Sequence, residues 1–219
     1  MKRPARPQSK RKSRCGTPEL ILATSMDLFN QLGERQVTTN HIAQELGMSS
    51  GNLYYHYGSK EEIILALVAR YLERFKQLAN DCLSLPCSFD TMLALLNSLL
   101  QLRWEYRFIL NGKFSLFLFN HPLRDEYFAG ERIHIEQPVS ALFERMRDAA
   151  CLVAYGGDIT LLARQFSLLQ EAWLGLQPAA AASKGLVLAQ GQLYMLRFIY
   201  PNLCPAWQQR CDALFASAH

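Results

Sequence analysis

Apolar side chains recur every three or four residues along most of the chain, which is the spacing of amphipathic helices. Thr17 and Pro18 favour the start of a first helix, because threonine caps helices and proline suits the first helical position. Gly33 predicts its end, since glycine readily adopts the left-handed conformation of a helix cap. The apolar face between these signals comprises Ile21, Leu28, Phe29 and Leu32.

Two short helices and a longer one are predicted next. The second helix is expected over residues 40–46 and the third over residues 50–57, with Gly47 breaking the chain between them. Ser59 and Glu62 have the spacing of a capping box, so a fourth helix is expected to begin there.

The rest of the chain continues with helical signals. His121-Pro122 is expected to form a turn, and Pro138 to bend or split a long stretch over residues 123–149. No strand-like alternation and no internal repeat occurs, so the predicted fold class is all-α. The fourth helix is expected over residues 60–83, and further helices over residues 89–102, 104–119, 158–176, 184–200 and 205–216.

The composition is that of a globular protein, with 219 residues of which 50% are apolar and 19% charged. The longest apolar runs are too short to cross a bilayer, and the basic start is not followed by the apolar core of a secretory signal. We therefore expect a cytoplasmic, nucleoid-associated protein without membrane contact.

The net charge of +4 is unevenly distributed. Residues 2–14 contain seven basic side chains and no acidic one, which leaves 16 basic against 19 acidic side chains in residues 15–219. Such a segment is typical of an arm that binds a polyanion, and a solubilising tail is the alternative.

The six cysteines lack the paired spacing of common zinc sites, so we expect neither a metal nor a cofactor. Reduced thiols of the core are the simplest interpretation. A thiol-based redox sensor that uses Cys82, Cys87 or Cys151 is an alternative.

The second and third predicted helices and their glycine-containing turn have the layout of a helix-turn-helix. In that motif the second helix enters the major groove and presents its N-terminal residues to base edges. Here these residues are Ser49, Ser50, Gly51 and Asn52. Asn52 can form two hydrogen bonds with adenine, and Tyr54 offers a ring face to a thymine methyl.

A wider pattern surrounds this motif. It comprises Leu28-Phe29, Gly33, Thr38-Thr39, Ile42-Ala43, Leu46-Gly47, Gly51-Asn52-Leu53-Tyr54-Tyr55-His56-Tyr57 and Ser59-Lys60-Glu61-Glu62. With these residues the segment 18–64 resembles the DNA-binding region of TetR-type (TetR/AcrR) transcriptional regulators. The resemblance implies an N-terminal three-helix DNA-binding domain and a C-terminal helical domain that dimerises and binds a small effector.

The resemblance also implies roles for single residues. Thr38 or Thr39 corresponds to a phosphate-binding threonine, and Tyr55 and His56 to residues that contact the sugar-phosphate backbone. Lys60 corresponds to a lysine that binds a phosphate. Such contacts fix the register on DNA, while the start of the third helix carries the choice of sequence.

The DNA-binding region departs from expectation in its charge. Between residues 15 and 60 only Arg35 and Lys60 are basic, against four acidic residues. The basic segment resembles the extensions of some family members, so we expect Arg11, Lys12 and Arg14 to bind phosphates or enter the minor groove.

Three regions are predicted: a basic arm over residues 1–16, a helix-turn-helix domain over residues 17–62 and a helical domain over residues 63–219. The resemblance implies a homodimer on a pseudo-palindromic site in double-stranded DNA. The residues expected at the dimer interface are Leu161, Leu168, Leu169, Leu193, Leu196 and Phe198.

An aromatic-rich run favours a pocket for an unknown hydrophobic or acyl effector, with Arg103 and Arg107 placed to meet an acidic head group. The alternative is that the rings fill the core and the arginines are solvated. The candidate pocket residues are Arg103, Trp104, Arg107, Phe108, Phe114, Phe117, Tyr127 and Trp173.

The predicted function is that of a transcriptional regulator, a repressor released by an effector. No phosphate-binding loop, dinucleotide fingerprint or nucleophile elbow occurs, so we do not expect an enzyme. A DNA-bound protein that recruits a partner without a small ligand is a further alternative.

Overall fold

A computed structural model describes residues 16–118, 121–153, 156–177 and 184–217. Within these ranges the regular elements are helical, and a lone antiparallel bridge joins Leu152 and Leu203. The helices are α1 (Thr17–Leu32), α2 (Thr39–Glu45), α3 (Ser50–His56), α4 (Lys60–Ser84), α5 (Phe89–Glu105), α6 (Arg107–Leu118), α7 (His121–Glu131), α8 (Gln137–Asp148), α9 (Ile159–Gly175), α10 (Lys184–Ile199) and α11 (Pro205–Ser217). The all-α prediction is confirmed.

The local signals explain most helix starts. Side chains of Thr38, Ser49, Ser59, Ser88 and Asp158 each accept a backbone N–H at the start of a helix. The predicted start at residue 17 is right, but the cap position belongs to Gly16 and not to Thr17. Gly33 ends α1 with a φ of +81°, a conformation that costs glycine little.

The stretch 121–149 differs from expectation at its beginning. The predicted turn at His121-Pro122 is instead the first turn of α7, where a proline is tolerated because its missing N–H needs no partner. Pro138 occupies the first turn of α8, after a π-helical segment over Arg132–Glu136 that separates α7 from α8. The expected division at Pro138 is therefore present.

Helix α4 connects the two predicted domains. It begins at Lys60 and continues without interruption to Ser84, across the predicted boundary at residues 62/63. It packs against α1 near its start and against α5, α7 and α8 further on. Since Ile63, Tyr71 and Phe75 are all fully buried, one apolar core extends along α4 from one region into the other.

Asn30 ties the first helix to the C-terminal region. Its side-chain amide donates to the carbonyl of Glu105 at 2.7 Å, and its oxygen accepts the N–H of Phe108 at 3.0 Å. The ring of Phe29 packs on Phe108, with centroids 5.2 Å apart. The junction between α5 and α6 is therefore fixed directly to α1.

Candidate functional site

The turn between α2 and α3 is built from local contacts. Gly47 has a φ of +64°, and the N–H of Met48 donates to the carbonyl of Ala43 at 2.9 Å. Ile42 and Leu53 are fully buried, one from each helix. The two helices are thus packed through their apolar faces, and the polar start of α3 is left on the surface.

The start of α3 presents the predicted base-reading residues to solvent. Ser49, Gly51 and Asn52 are exposed, and Ser50 is half-buried. Oγ of Ser49 accepts the N–H of Asn52 at 3.2 Å, so this hydroxyl caps the helix. Oγ of Ser50 donates to Oδ1 of Asn40 at 2.8 Å. The side chain of Asn52 points away from the core, as a major-groove contact requires.

The side chains in the second half of α3 divide between core and surface. Leu53 is fully buried, whereas Tyr55 is 85% exposed and Tyr54 48% exposed. The hydroxyl of Tyr54 lies 3.0 Å from Oγ1 of Thr39, which links the start of α2 to the middle of α3. The rings of Tyr55 and His56 meet edge to face at 5.2 Å. An exposed aromatic ring beside a groove-reading turn favours contact with DNA.

The predicted phosphate-binding residues have structural roles as well. Oγ1 of Thr38 accepts the N–H of His41 at 3.2 Å and caps α2. Nζ of Lys60 donates to the carbonyls of Glu34 at 2.9 Å and Val37 at 3.2 Å. Lys60 therefore fixes the loop between α1 and α2, a role that sequence reasoning missed because its partners are backbone atoms.

Two protein families match this chain in sequence. The family described as "Bacterial regulatory proteins, tetR family" matches residues 21–67, and the one described as "Bacterial transcriptional repressor" matches residues 69–209. The chain belongs to the TetR family. Members of this family are DNA-binding transcriptional regulators.

Solved structures of TetR-family regulators have the same fold as this chain. A TetR-family regulator from Marinobacter aquaeolei VT8 superposes with a TM-score of 0.78 at 28% identity, over 91% of this chain and 97% of that chain. The TetR-family regulator PfmR from Thermus thermophilus shares the fold, with a TM-score of 0.67 at 19% identity over 82% and 96%.

A curated relative matches a shorter part. An HTH-type transcriptional regulator of Staphylococcus aureus (strain MRSA252) is 30% identical over 87 residues, 38% of this chain and 45% of that protein. The matched part of the chain thus covers less than half the length of this relative.

The candidate effector residues are not all brought together in this TetR-family chain. Arg103 is fully buried and forms an ion pair with Glu171, with Nη1 and Oε1 2.9 Å apart. Its guanidinium lies 5.1 Å from the ring centre of Phe75. Tyr71 and Tyr127 are also fully buried, and each phenol lies within electrostatic range of Arg103. Arg103 and Tyr127 therefore share one buried polar cluster.

Several donors of this cluster lack a partner in the described part of the chain. They are Nε and Nη2 of Arg103 and the hydroxyl of Tyr71. Nε2 of Gln170, the residue before Glu171 in the sequence, is a further buried donor without a partner. Burial raises the pKa of Tyr71 well above its usual value, so its hydroxyl stays protonated. Buried donors without partners are costly, and a bound molecule or water that accepts from them removes that cost.

The other candidate effector residues lie apart from this cluster. Arg107 stacks over the ring of Trp104, 4.7 Å from its centre, and Phe108 packs on Phe29 as described. Nε1 of Trp173 donates to the carbonyl of Val187 at 3.1 Å, between α9 and α10. The side chains of Phe114 and Phe117 lie outside the described residues.

Two neighbouring cavities of about 40 Å³ each lie between α5 and α8. One is lined only by apolar side chains, among them Leu96, Leu99 and Phe166. The other opens near Cys87 and Arg145. The two cavities share the wall residues Met92, Leu95, Leu142 and Met146, so they adjoin. We call the two together the apolar tract, which sequence reasoning did not find.

The predicted dimer residues of this family member differ in exposure. Leu161 and Leu168 are 50% and 56% exposed on α9. Leu169, Leu193 and Phe198 are half-buried. Leu196 is fully buried in the core of its own chain, so its place in the predicted interface is wrong. The exposed apolar residues nearby are Leu176, Leu186 and Tyr194.

The remaining predictions concern metals, membranes and the arm. Among the described residues no three His, Cys, Asp or Glu side chains are grouped as metal ligands. No helix in the part of the chain that the structure covers is long and apolar enough to cross a membrane. Arg11, Lys12 and Arg14 lie outside the described residues.

Proposed function

We propose that this TetR-family chain is a homodimeric repressor. Its two DNA-binding heads, residues 17–62 of each chain, bind the halves of a pseudo-palindromic operator in double-stranded DNA. The observation that carries the proposal is the exposure of the polar start of α3. Ser49, Gly51, Asn52 and Tyr55 are exposed there, and the helix packs onto α2 through its buried face. Small polar residues there let the backbone approach the bases. The protein acts at the nucleoid in this account, and no catalysis is part of it.

The predicted regions acquire distinct tasks in this proposal. Residues 17–62 recognise the operator, and residues 63–219 dimerise and bind the effector. The arm over residues 1–16 supplies the positive charge that the head lacks. Since Nζ of Lys60 is already bonded to two carbonyls, the head has even less free positive charge than its sequence implies.

Dimerisation is assigned to the exposed apolar face of α9 and α10. Leu161 and Leu168 are seven residues apart on α9, so they lie two turns apart on one side of the helix. Leu186 and Tyr194 are exposed on α10. Apolar side chains spread over two long helices are typical of a surface that packs against a second copy.

The effector proposed here is amphipathic, with an apolar body and one oxygen-bearing polar group. Leu99 lines the apolar tract, and Arg103 lies four residues further along α5. Phe166 lines the same tract, and Gln170 lies four residues further along α9. Residues four apart share a helix face, about 6 Å from one another along the axis. Arg103 and Gln170 therefore each lie one turn from a residue that lines the apolar tract.

Binding of such a molecule requires the tract to widen. Cavities of about 40 Å³ hold only a few water molecules. Met92 and Met146 line both cavities, and methionine side chains repack easily because they are unbranched. We expect an effector larger than this repacking can accommodate to displace α5 or α8 relative to their neighbours.

Asn30 gives this displacement a route to the head. It binds the carbonyl of Glu105 and the N–H of Phe108, two residues after Arg103 and at the start of α6. A shift of α5 thus moves α1 directly. An effector that binds the shifted arrangement more tightly releases the DNA, by the amount of its differential affinity.

The test uses the full-length protein on a fluorescent duplex recovered by selection for binding. Dodecanoate, dodecanol and acetate are added separately, and the bound fraction is followed by anisotropy. We expect dodecanoate to release DNA at lower concentration than dodecanol, and acetate to have no effect, because both the apolar body and the oxyanion contribute. Release by none of the three, nor by longer or branched acids, contradicts the effector half and favours the partner-recruiting alternative.

Two variants locate the effector site. Tyr71→Phe removes one unpartnered hydroxyl and keeps the ring, so it should weaken the response to dodecanoate without changing DNA affinity. Tyr200→Phe is the control, since the hydroxyl of Tyr200 binds Asp212 on the surface. Equal dodecanoate sensitivity in both variants contradicts the polar subsite.

A further inference from the structure

The sulfur atoms of Cys87 and Cys151 lie 4.0 Å apart, although the two residues are 64 positions apart in the sequence. Cys87 belongs to the connection between α4 and α5, and Cys151 to the connection between α8 and α9. A disulfide needs an S–S distance of about 2 Å, so closure by about 2 Å is enough. Both residues lie in connections, where the backbone gives way more easily than within a helix.

The two thiols differ in access. Cys87 is half-buried and lines the opening cavity, together with Ser88 and Thr91. Cys151 is buried behind it and does not line that cavity. A small oxidant that enters the cavity therefore meets Cys87 first, and Cys151 is the sulfur that stands next to it.

The protonation state of Cys151 is consistent with Cys87 reacting first. Burial, together with the neighbouring thiols of Cys87 and Cys204, raises the pKa of Cys151 to about 12. Cys151 is therefore a protonated thiol at neutral pH, so it is the second of the two thiols to react and not the first.

We propose that Cys87 and Cys151 form a reversible disulfide in response to hydroperoxides and that this cross-link lowers the affinity for DNA. The thiolate of Cys87 attacks one peroxide oxygen, the O–O bond breaks, and an alkoxide or hydroxide leaves and takes up a proton. Cys87 is then a sulfenic acid. The sulfur of Cys151 attacks the sulfur of Cys87, the S–O bond breaks, and hydroxide leaves with the thiol proton as water. The two thiols lose two electrons, which reduce the peroxide.

The consequence for DNA is transmitted through α4, and it rests on the family's DNA-binding function. Arg145 on α8 donates to the carbonyls of Cys82, Leu83 and Leu85, so it fixes the C-terminal end of α4 beside the thiol pair. The cross-link joins the segment directly after that end to the segment directly after α8. Because α4 begins at Lys60 in the DNA-binding head, a shift of its far end reorients the head.

The first experiment needs no DNA. The full-length protein is treated with hydrogen peroxide, digested without reductant and analysed by mass spectrometry. We expect a peptide pair joined through Cys87 and Cys151, two hydrogens lighter than the separate peptides, which dithiothreitol separates again. Free thiols at both positions, at peroxide doses that oxidise glutathione completely, would overturn the proposal. A cross-link between other cysteines would overturn it too.

The second experiment measures DNA affinity of the oxidised and reduced protein on the same selected duplex. We expect oxidation to weaken binding at least about fivefold, the lower end of typical coupling between sites. Cys87→Ser should abolish the response to peroxide. Cys82→Ser is the matched control, because Cys82 lines the same cavity without contacting Cys151, and it should respond like the parent. Equal affinity of the oxidised and reduced parent would overturn the regulatory part, whereas no specific binding in either state would contradict the DNA-binding function instead.

Discussion

The hydroxyl of Tyr54 lies 3.0 Å from Oγ1 of Thr39, so the first residue of α2 is joined to the middle of α3 by a side-chain hydrogen bond. The two residues are 15 positions apart and belong to the two helices of the helix-turn-helix. This contact fixes the angle at which α3 is presented. The sequence predicts DNA contacts for both residues, and the structure adds a role in orienting the reading helix.

The first prediction concerns this hydrogen bond. A double-mutant cycle with Thr39→Val and Tyr54→Phe should give a coupling of about 0.5–1.5 kcal/mol in the free energy of unfolding, typical of a single hydrogen bond. Urea unfolding of the four proteins measures it. Strict additivity of the two substitutions would mean that the contact contributes nothing to the orientation of α3.

The second prediction concerns sequence choice. Asn52→Ala should change the preferred operator at one base pair, with a loss of about 1–3 kcal/mol there if Asn52 binds adenine. Its side chain is exposed and away from the core, so folding should be unaffected. Binding to a panel of single-base operator variants measures the change. An unchanged preference with unchanged affinity would show that Asn52 does not read a base.

The third prediction concerns Lys60. Replacement by methionine removes the donor to the carbonyls of Glu34 and Val37, so the loop before α2 loses two hydrogen bonds. We expect a loss of about 1–3 kcal/mol in stability and weaker binding to all DNA sequences alike. Thermal unfolding and binding to specific and random duplexes measure both. If stability stays at the parent level while binding falls, Lys60 acts only through phosphate.

The fourth prediction concerns the basic arm. Deletion of residues 2–14 removes seven positive charges, and each neutralised phosphate contributes about 0.9 to the salt dependence of binding. The slope of log K against log salt should therefore become shallower by up to about six per arm. Titrations at several salt concentrations give this slope. An unchanged slope would identify the segment as a tail without DNA contacts.

The fifth prediction concerns Asn30. Asn30→Ala leaves the carbonyl of Glu105 and the N–H of Phe108 without partners, which should cost about 1–3 kcal/mol of stability. It should also reduce the response of DNA binding to effector, because α1 no longer follows α5. Asn97→Ala, at an exposed position of α5, is the control. A fully retained effector response in Asn30→Ala would exclude this route of coupling.

Local signals made the fold and the reading helix predictable. Gly33, Gly47 and Ser59 end or begin helices through the conformation of their own backbone or a contact three residues away, and the sequence displays such relations directly. The exposure of Tyr54 or Tyr55 also followed, because consecutive side chains of a helix cannot all face one core.

Contacts between residues far apart in the chain could not be predicted from the sequence. The pairing of Arg103 with Glu171, the approach of Cys87 to Cys151 and the burial of Leu196 depend on how whole helices pack. Periodicity gives the apolar side of a helix but does not say whether the core or a second chain covers it. For that reason the place of Leu196 in the predicted dimer surface needed correction.

The most direct test is selection of bound duplexes from a random pool by the full-length protein at near-physiological salt. The account predicts enrichment of an inverted repeat, with half-sites separated by about one turn of DNA, roughly 34–36 Å, or somewhat more. Recovery of unenriched sequences, with binding that simply fades as salt rises, would contradict it. The basic arm would then account for the binding, and sequence-specific repression would have to be abandoned.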